Sequence, residues 1–147
     1  MCDLVHTVQR SEYVAYEPDQ MFDLVNDIAS YPEFLHWCQS SHVERETEME
    51  IVAMLDVGLG GLRKRFTTCN SLKRPHQIDI DLVDGPFTSL SGGWRFLKQN
   101  EPGCLVKIEL AFDVVRTPLD KMFGLLFEEI VRSQVEAFIK RANQLYG

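Results

Sequence analysis

Metal binding and nucleophilic catalysis draw first on cysteine and histidine, and this chain has four of each: Cys2, Cys38, Cys69 and Cys104, and His6, His36, His42 and His76. No two cysteines form a C-x-x-C pair and no histidine stands at zinc spacing from one, so no metal site is expected. No Ser-His-Asp or Cys-His order stands out either. Asp79, Asp81 and Asp84 are close enough in sequence for paired-carboxylate acid–base work. The first two, however, fall on the wet side of an alternating segment, where a solvated acidic face is the plainer reading. Val57-Gly58-Leu59-Gly60-Gly61-Leu62 lacks the Lys-Ser/Thr ending of a phosphate loop and precedes a strand-like run, not a helix. It reads as a hairpin tip whose exposed Leu59 and Leu62 offer apolar contact to a membrane or partner. The basic clusters Arg63-Lys64-Arg65 and Lys73-Arg74 lie at opposite ends of one predicted strand, about 25 Å apart at the usual rise. They are solvated strand ends, with phosphate contact to an RNA as the functional alternative. No catalytic residue and no cofactor is expected.

A different chemistry is written in residues 82–96, LVDGPFTSLSGGWRF. Asp84-Gly85-Pro86 makes a corner, and Gly92-Gly93 supplies a bend of the kind a strongly curved sheet needs. Trp94 and Phe96 then point to one face. If the sheet curves away from a covering helix, a space opens, and Phe34, Phe66, Trp94, Phe96, Phe112, Phe123 and Phe127 are the bulky candidates to line it as a ligand-binding wall. Plain core is the competing reading for each. Leu119, Met122, Phe123, Leu125, Leu126 and Phe127 crowd more than one side of a helix around Gly124. That crowding suits burial under a loop, a cavity mouth, a membrane or a dimer partner. Phe123 is placed at such a mouth, where truncation to alanine costs less than the ~3–5 kcal/mol of a core aromatic. Trp94 is expected to be intermediate.

The elements that must position these residues follow from periodicity. His6 to Val14 reads as a strand. Pro18 and Asp19 open a helix whose Met21, Phe22, Val25 and Ile28 share a face, and which stops before Pro32. Pro32 to Leu35 is a short second helix. Strands are predicted at Ile51–Val57, Lys64–Leu72, Gln77–Val83, Leu90–Leu97 and Leu105–Val115, about six being expected between residues 40 and 115. Thr117, Pro118 and Asp120 form a helix start with cap, proline and acid in place, and the apolar stripe continues to Leu145. The 147 residues fit one domain spanning 1–147. A net charge of −7 gives no global pull toward nucleic acid, so no DNA partner is expected. Free thiols, no secretory or transit pattern, and no membrane-length apolar run make the cytoplasm the expected compartment.

Tyr31-Pro32-Glu33-Phe34-Leu35-x-Trp37-Cys38, taken with Asp84-Gly85-Pro86-Phe87-x-x-Leu90-x-Gly92-Gly93-Trp94-x-Phe96, resembles the coenzyme-Q-binding and polyketide-cyclase-like branch of the START superfamily. That branch includes the bacterial RatA-type ribosome association proteins. The resemblance runs from Thr7 to Tyr146, with His36 standing where such proteins often carry proline. It implies an α+β helix-grip fold: a curved antiparallel sheet of about six to seven strands wrapped around a long C-terminal helix, with two short helices after the first strand. It also implies an apolar cavity for a lipophilic small molecule, ubiquinone or a related polyprenyl lipid, bound without catalysis in support of respiration. Transient contact with the inner membrane is part of that expectation. The alternative it implies is a toxin that binds the large ribosomal subunit and blocks subunit association, and a weaker one is an aromatic polyketide cyclase-like enzyme.

Overall fold

The computed structural model describes residues 6–147; Cys2 and its neighbours in residues 1–5, and the side chain of Leu59, lie outside the described residues. The order of elements is β1 (His6–Val14), α1 (Pro18–Asn26), a 3-10 turn at Ile28–Ser30, α2 (Tyr31–Phe34), β2 (Cys38–Glu46), β3 (Glu50–Leu59), β4 (Leu62–Lys73), β5 (Gln77–Asp84), β6 (Phe87–Lys98), β7 (Cys104–Val114) and α3 (Pro118–Tyr146). The seven strands form one sheet in the order β1-β7-β6-β5-β4-β3-β2, with every neighbour antiparallel. Strands β2 to β7 are consecutive hairpins, and β1 closes the far edge beside β7. The α+β helix-grip architecture is what the sequence leads one to expect.

Alternation decides which face of the sheet is dry. Val106, Ile108, Leu110, Phe112 and Val114 of β7 are buried, while Lys107, Glu109, Ala111 and Asp113 point outward. The dry face is concave, and α3 lies across it. That helix begins as its sequence demands: the Thr117 hydroxyl accepts a hydrogen bond from the Asp120 amide at 3.1 Å, and Pro118 takes the first helical position, where its missing N–H costs nothing. Phe123, Phe127, Ile130, Val131, Val135 and Phe138 of its stripe are all buried.

Local differences from the sequence reading have physical causes. Helix α1 ends at Asn26, not Ile28, because Asp27 leaves the helical region (φ −83°, ψ 67°) and Ile28 starts a separate 3-10 turn. Strand β2 is a distinct element whose polar run CQSSHVERE hid it from hydrophobic periodicity. It is a sheet edge, largely exposed, with two register shifts against β3. Strand β6 starts at Phe87 rather than Leu90, through an irregularity between Phe87 and Ser89. Leu62, expected at an exposed hairpin tip, is half-buried and packs against the core, because it falls on the concave side of β4.

The glycine pair sits in the middle of β6 with its register unbroken on both sides, opposite Ile80 and Asp79 of β5 and Leu110 and Glu109 of β7. Gly92 has φ 138°, and a Cβ there would stand 2.1 Å from the Glu109 carbonyl oxygen and 2.8 Å from Leu110 Cα. Absence of a side chain lets three backbones close up where the sheet curves. Beyond the pair, Trp94 and Phe96 face inward and Arg95 faces out, reaching Asp79 at 3.2 Å.

Gly92→Ala is therefore expected to destabilise the protein by more than about 2 kcal/mol in urea unfolding, since neighbouring backbone must move. Gly60→Ala is the control. At φ 59° with nothing within 4 Å of an added Cβ, it should cost only the ~1–2 kcal/mol of left-handed backbone.

Candidate functional site

Between α3 and the concave face lies a cavity of about 90 Å³. Phe66 of β4 and Phe127 of α3 close one end, their ring centroids 5.6 Å apart. Tyr31, Trp37, Trp94 and Phe138 close the other, with Trp94 edge-on to Phe138 at 5.4 Å. Aliphatic side chains of β3, β5, β6, β7 and α3 complete the wall. Three polar side chains interrupt it: Thr68 and Asn70 on the inward face of β4, and Gln134 on α3, each buried. Asn70 Oδ1 and Gln134 Oε1 have no hydrogen-bond partner from the protein.

Of the seven aromatic residues singled out in the sequence, Phe66, Trp94 and Phe127 line this space. Phe96 lies behind the wall, stacked on Trp94 at 6.2 Å and edge-on to Phe22 at 5.9 Å. Phe112 is buried between His6 and Phe127, at 4.9 Å from each ring. Phe123 is fully buried against Phe87 and Phe127, at 5.6 and 5.7 Å, and is not at a mouth. Phe34 is half-buried, edge-on to Tyr31 and Phe138 at 6.2 and 5.6 Å, and borders a separate groove of about 420 Å³ with His36, Ser133 and Arg141, whose guanidinium sits 4.8 Å over its ring. Trp37 belongs to both walls.

Sequence reasoning missed Tyr31, Trp37, Phe138, Asn70 and Gln134. A signal existed for the amides: Asn70 continues the inward series Phe66, Thr68, and Gln134 interrupts the stripe between Ile130 and Phe138. Polar residues at apolar-periodic positions mark a site or a structural hydrogen bond, and no protein partner is present for these two oxygens. The start of α3 divides by face: Phe123 and Phe127 are buried, while Leu119, Met122 and Leu125 remain 58%, 58% and 64% exposed.

The cavity wall carries no charged side chain among the described residues. Tyr31 is the one titratable group on the cavity wall among the described residues. Its hydroxyl donates to the Val25 carbonyl, and burial raises its pKa. The Cys38 thiol is pushed up to about 11 by burial and, less, by Asp56, so it stays protonated. The basic clusters are largely neutralised. Lys64 turns inward to Asp120 at 3.1 Å, and Arg65 meets Asp56 at 2.8 Å. Lys73 approaches Asp79 at 3.8 Å and Arg74 pairs with Asp23. Among the described residues only Arg63 of the two clusters makes no ion pair. The Asp120 carboxyl is held below its ordinary value first by the Thr117 hydroxyl and then by Lys64, and that of Asp56 first by Arg65 and then by Ser40. No three His, Cys, Asp or Glu side chains converge as metal ligands among the described residues.

Residues 14–139 match the family model described as polyketide cyclase / dehydrase and lipid transport. The chain belongs to this family. Within it, the chain is 44% identical over 140 residues to the ribosome association toxin RatA of Vibrio cholerae, covering 95% of this chain and 97% of that protein. A more distant relative is the mitochondrial coenzyme Q-binding protein COQ10 homolog B of Xenopus laevis, 28% identical over 93% of this chain and 58% of that protein. Among solved structures, a START superfamily protein from Mycobacterium smegmatis superposes with a TM-score of 0.78 at 21% identity, covering 95% of this chain and 99% of that one. The family's shared architecture is thus the curved sheet and gripping helix described above, and no helix among the described residues is long and apolar enough to cross a membrane.

Because Phe123 is wholly enclosed, Phe123→Ala is expected to lose a full core aromatic, about 3–5 kcal/mol in denaturant melts. Trp94 has the cavity on one side and fewer atoms to lose, so Trp94→Ala should cost less than Phe123→Ala although it removes the larger side chain.

Proposed function

We propose that this protein acts in ribosome association, binding the large ribosomal subunit and blocking its joining to the small one. The observation that carries the reading is near-full-length likeness to a ribosome association toxin, 44% identical over 95% of the chain. Surface chemistry limits how such contact is made. With net charge −7 and both basic clusters mostly tied up in ion pairs, few cations are free for phosphates. Contact by shape and by exposed apolar groups fits this surface better than a broad basic patch.

A second reading concerns the cavity, which fits the binding of a lipophilic small molecule of the ubiquinone or polyprenyl class, in support of respiration. What supports it is the apolar wall and the likeness to a coenzyme Q-binding protein. At about 90 Å³ the cavity is smaller than the ~150 Å³ that admits benzene in an engineered core. A ring-bearing ligand therefore requires α3 to lift or Trp37 to swing toward the adjoining groove. An enzymatic, cyclase-like role has no acid–base pair on this wall to carry proton transfer, so binding without catalysis is the reading we adopt.

Sucrose gradients test the first reading. Added protein should sediment with large subunits and convert monosomes to free subunits; persistence of monosomes with the protein at the top would contradict it. The association should also weaken less than about tenfold between 50 and 200 mM salt, against the 10³–10⁵-fold loss of a complex with six to ten phosphate contacts. For the second reading, organic extraction of protein from its native host should yield a co-purifying lipid by mass spectrometry. No lipid, and no saturable quinone binding in vitro, would contradict it.

A further inference from the structure

Asn70 and Gln134 occupy positions that packing alone would give to leucine. Asn70 is 8% exposed and pairs in the sheet with Ile51 and Ile80; Gln134 is 7% exposed within the buried stripe of α3. One approaches the cavity from the sheet and the other from the helix, and the amide oxygen of each has no protein partner. An unpartnered buried amide costs about 1–3 kcal/mol, a penalty that persists where a ligand relieves it.

We propose that Asn70 and Gln134 form the polar end of a ligand site for an uncharged molecule that carries a hydroxyl group on an apolar body. This deepens, and rests on, the second reading above, that the cavity holds a small molecule. A hydroxyl fits because it donates to an amide oxygen and accepts from an amide NH₂, so either orientation of each side chain is served. A charged head is excluded: no Asp, Glu, Lys, Arg or His is on the wall among the described residues, and an unpaired ion in such surroundings is strongly disfavoured. Thr68, two residues before Asn70 on the same face of β4, adds a third hydroxyl-compatible group. The apolar body lies against Phe66, Phe127 and Trp94, with the groove beyond Trp37 as room for anything longer.

Phenol and toluene are matched in shape and differ by the hydroxyl; each needs the same opening, α3 lifting or Trp37 swinging toward the groove, to enter, and both tryptophans of the chain, Trp37 and Trp94, are on the cavity wall. Titration of the wild-type protein with each probe, followed through the two indole N–H resonances, should give at least a tenfold preference for phenol. Asn70→Leu and Gln134→Leu should each erode that preference while binding toluene as well as before. Both variants should also unfold at the same or higher denaturant concentration than wild type, since an apolar side chain of similar shape replaces an unpaired polar one. Equal binding of the two probes by wild type, or a preference that survives in both variants, overturns the polar subsite and leaves the cavity reading standing. Failure of both probes to shift either indole overturns the cavity reading and the subsite with it.

Discussion

One helix has to cover seven strands. Laid flat, seven strands spaced about 4.8 Å apart present a width of about 29 Å, whereas a helix with its side chains is about 10–12 Å across. The sheet buries its dry face against α3 only by curling around it, and most of the other features follow from that constraint. Gly92 and Gly93 let the backbones of β5, β6 and β7 approach closely where the curl is made. Helices α1 and α2, inserted between β1 and β2, cover ground that α3 does not reach. Lys64, on the concave side of β4, ties the sheet to the first turn of the helix through Asp120.

A curled sheet and a straight helix do not match in shape, and aromatic rings fill most of the difference. Phe66, Phe87, Phe112, Phe123 and Phe127 pack edge to face under the first half of α3. Farther along, Tyr31 and Trp94 each meet Phe138 edge to face, and Phe96 stacks on Trp94. The cavity is what remains between these two sets, bounded by Phe66 and Phe127 from the first and Tyr31, Trp94 and Phe138 from the second. Its dry character therefore comes from the fold, and its few polar groups are the part that packing does not require. The same division separates the two functional readings. The cavity arises from the curl of this sheet around its helix, while the proposed contact with a ribosomal subunit would be made by an outer surface that the architecture leaves open.

The order of elements and the dry sheet face were legible because periodicity reports them directly, whereas the curved, gripping sheet was implied by the family resemblance. The alternation of Val106 to Val114, the cap at Thr117 and the stripe that follows are enough to place a long helix on a dry sheet face. The polar edge strand β2 was not legible, since CQSSHVERE buries only Cys38 fully and shows no apolar alternation along its length. The site was legible only in part, for a reason that Phe123 illustrates. Spacing puts a residue on a face, but whether that face meets a ring or a void depends on contacts across elements far apart in sequence. Phe66 meets Phe127, and Trp94 meets Phe138. Likewise Lys64 looked like one member of an exposed basic run until its side chain proved to point inward, toward a carboxylate on the last helix. Asn70 and Gln134 left a readable trace as polar residues on apolar periods. Their juxtaposition across one space did not.

The central claim is physical: α3 does not fill the sheet's concavity, and an apolar space persists between the two aromatic sets. A crystal of the protein pressurised with xenon tests this most directly, because xenon enters dry apolar cavities and is located by its density. The expected result is a xenon site bounded by Phe66, Phe127, Trp94 and Phe138, with Trp37 on its outer side. Density showing those rings in mutual contact, with no xenon between them and both amides bonded to protein groups, would contradict the account.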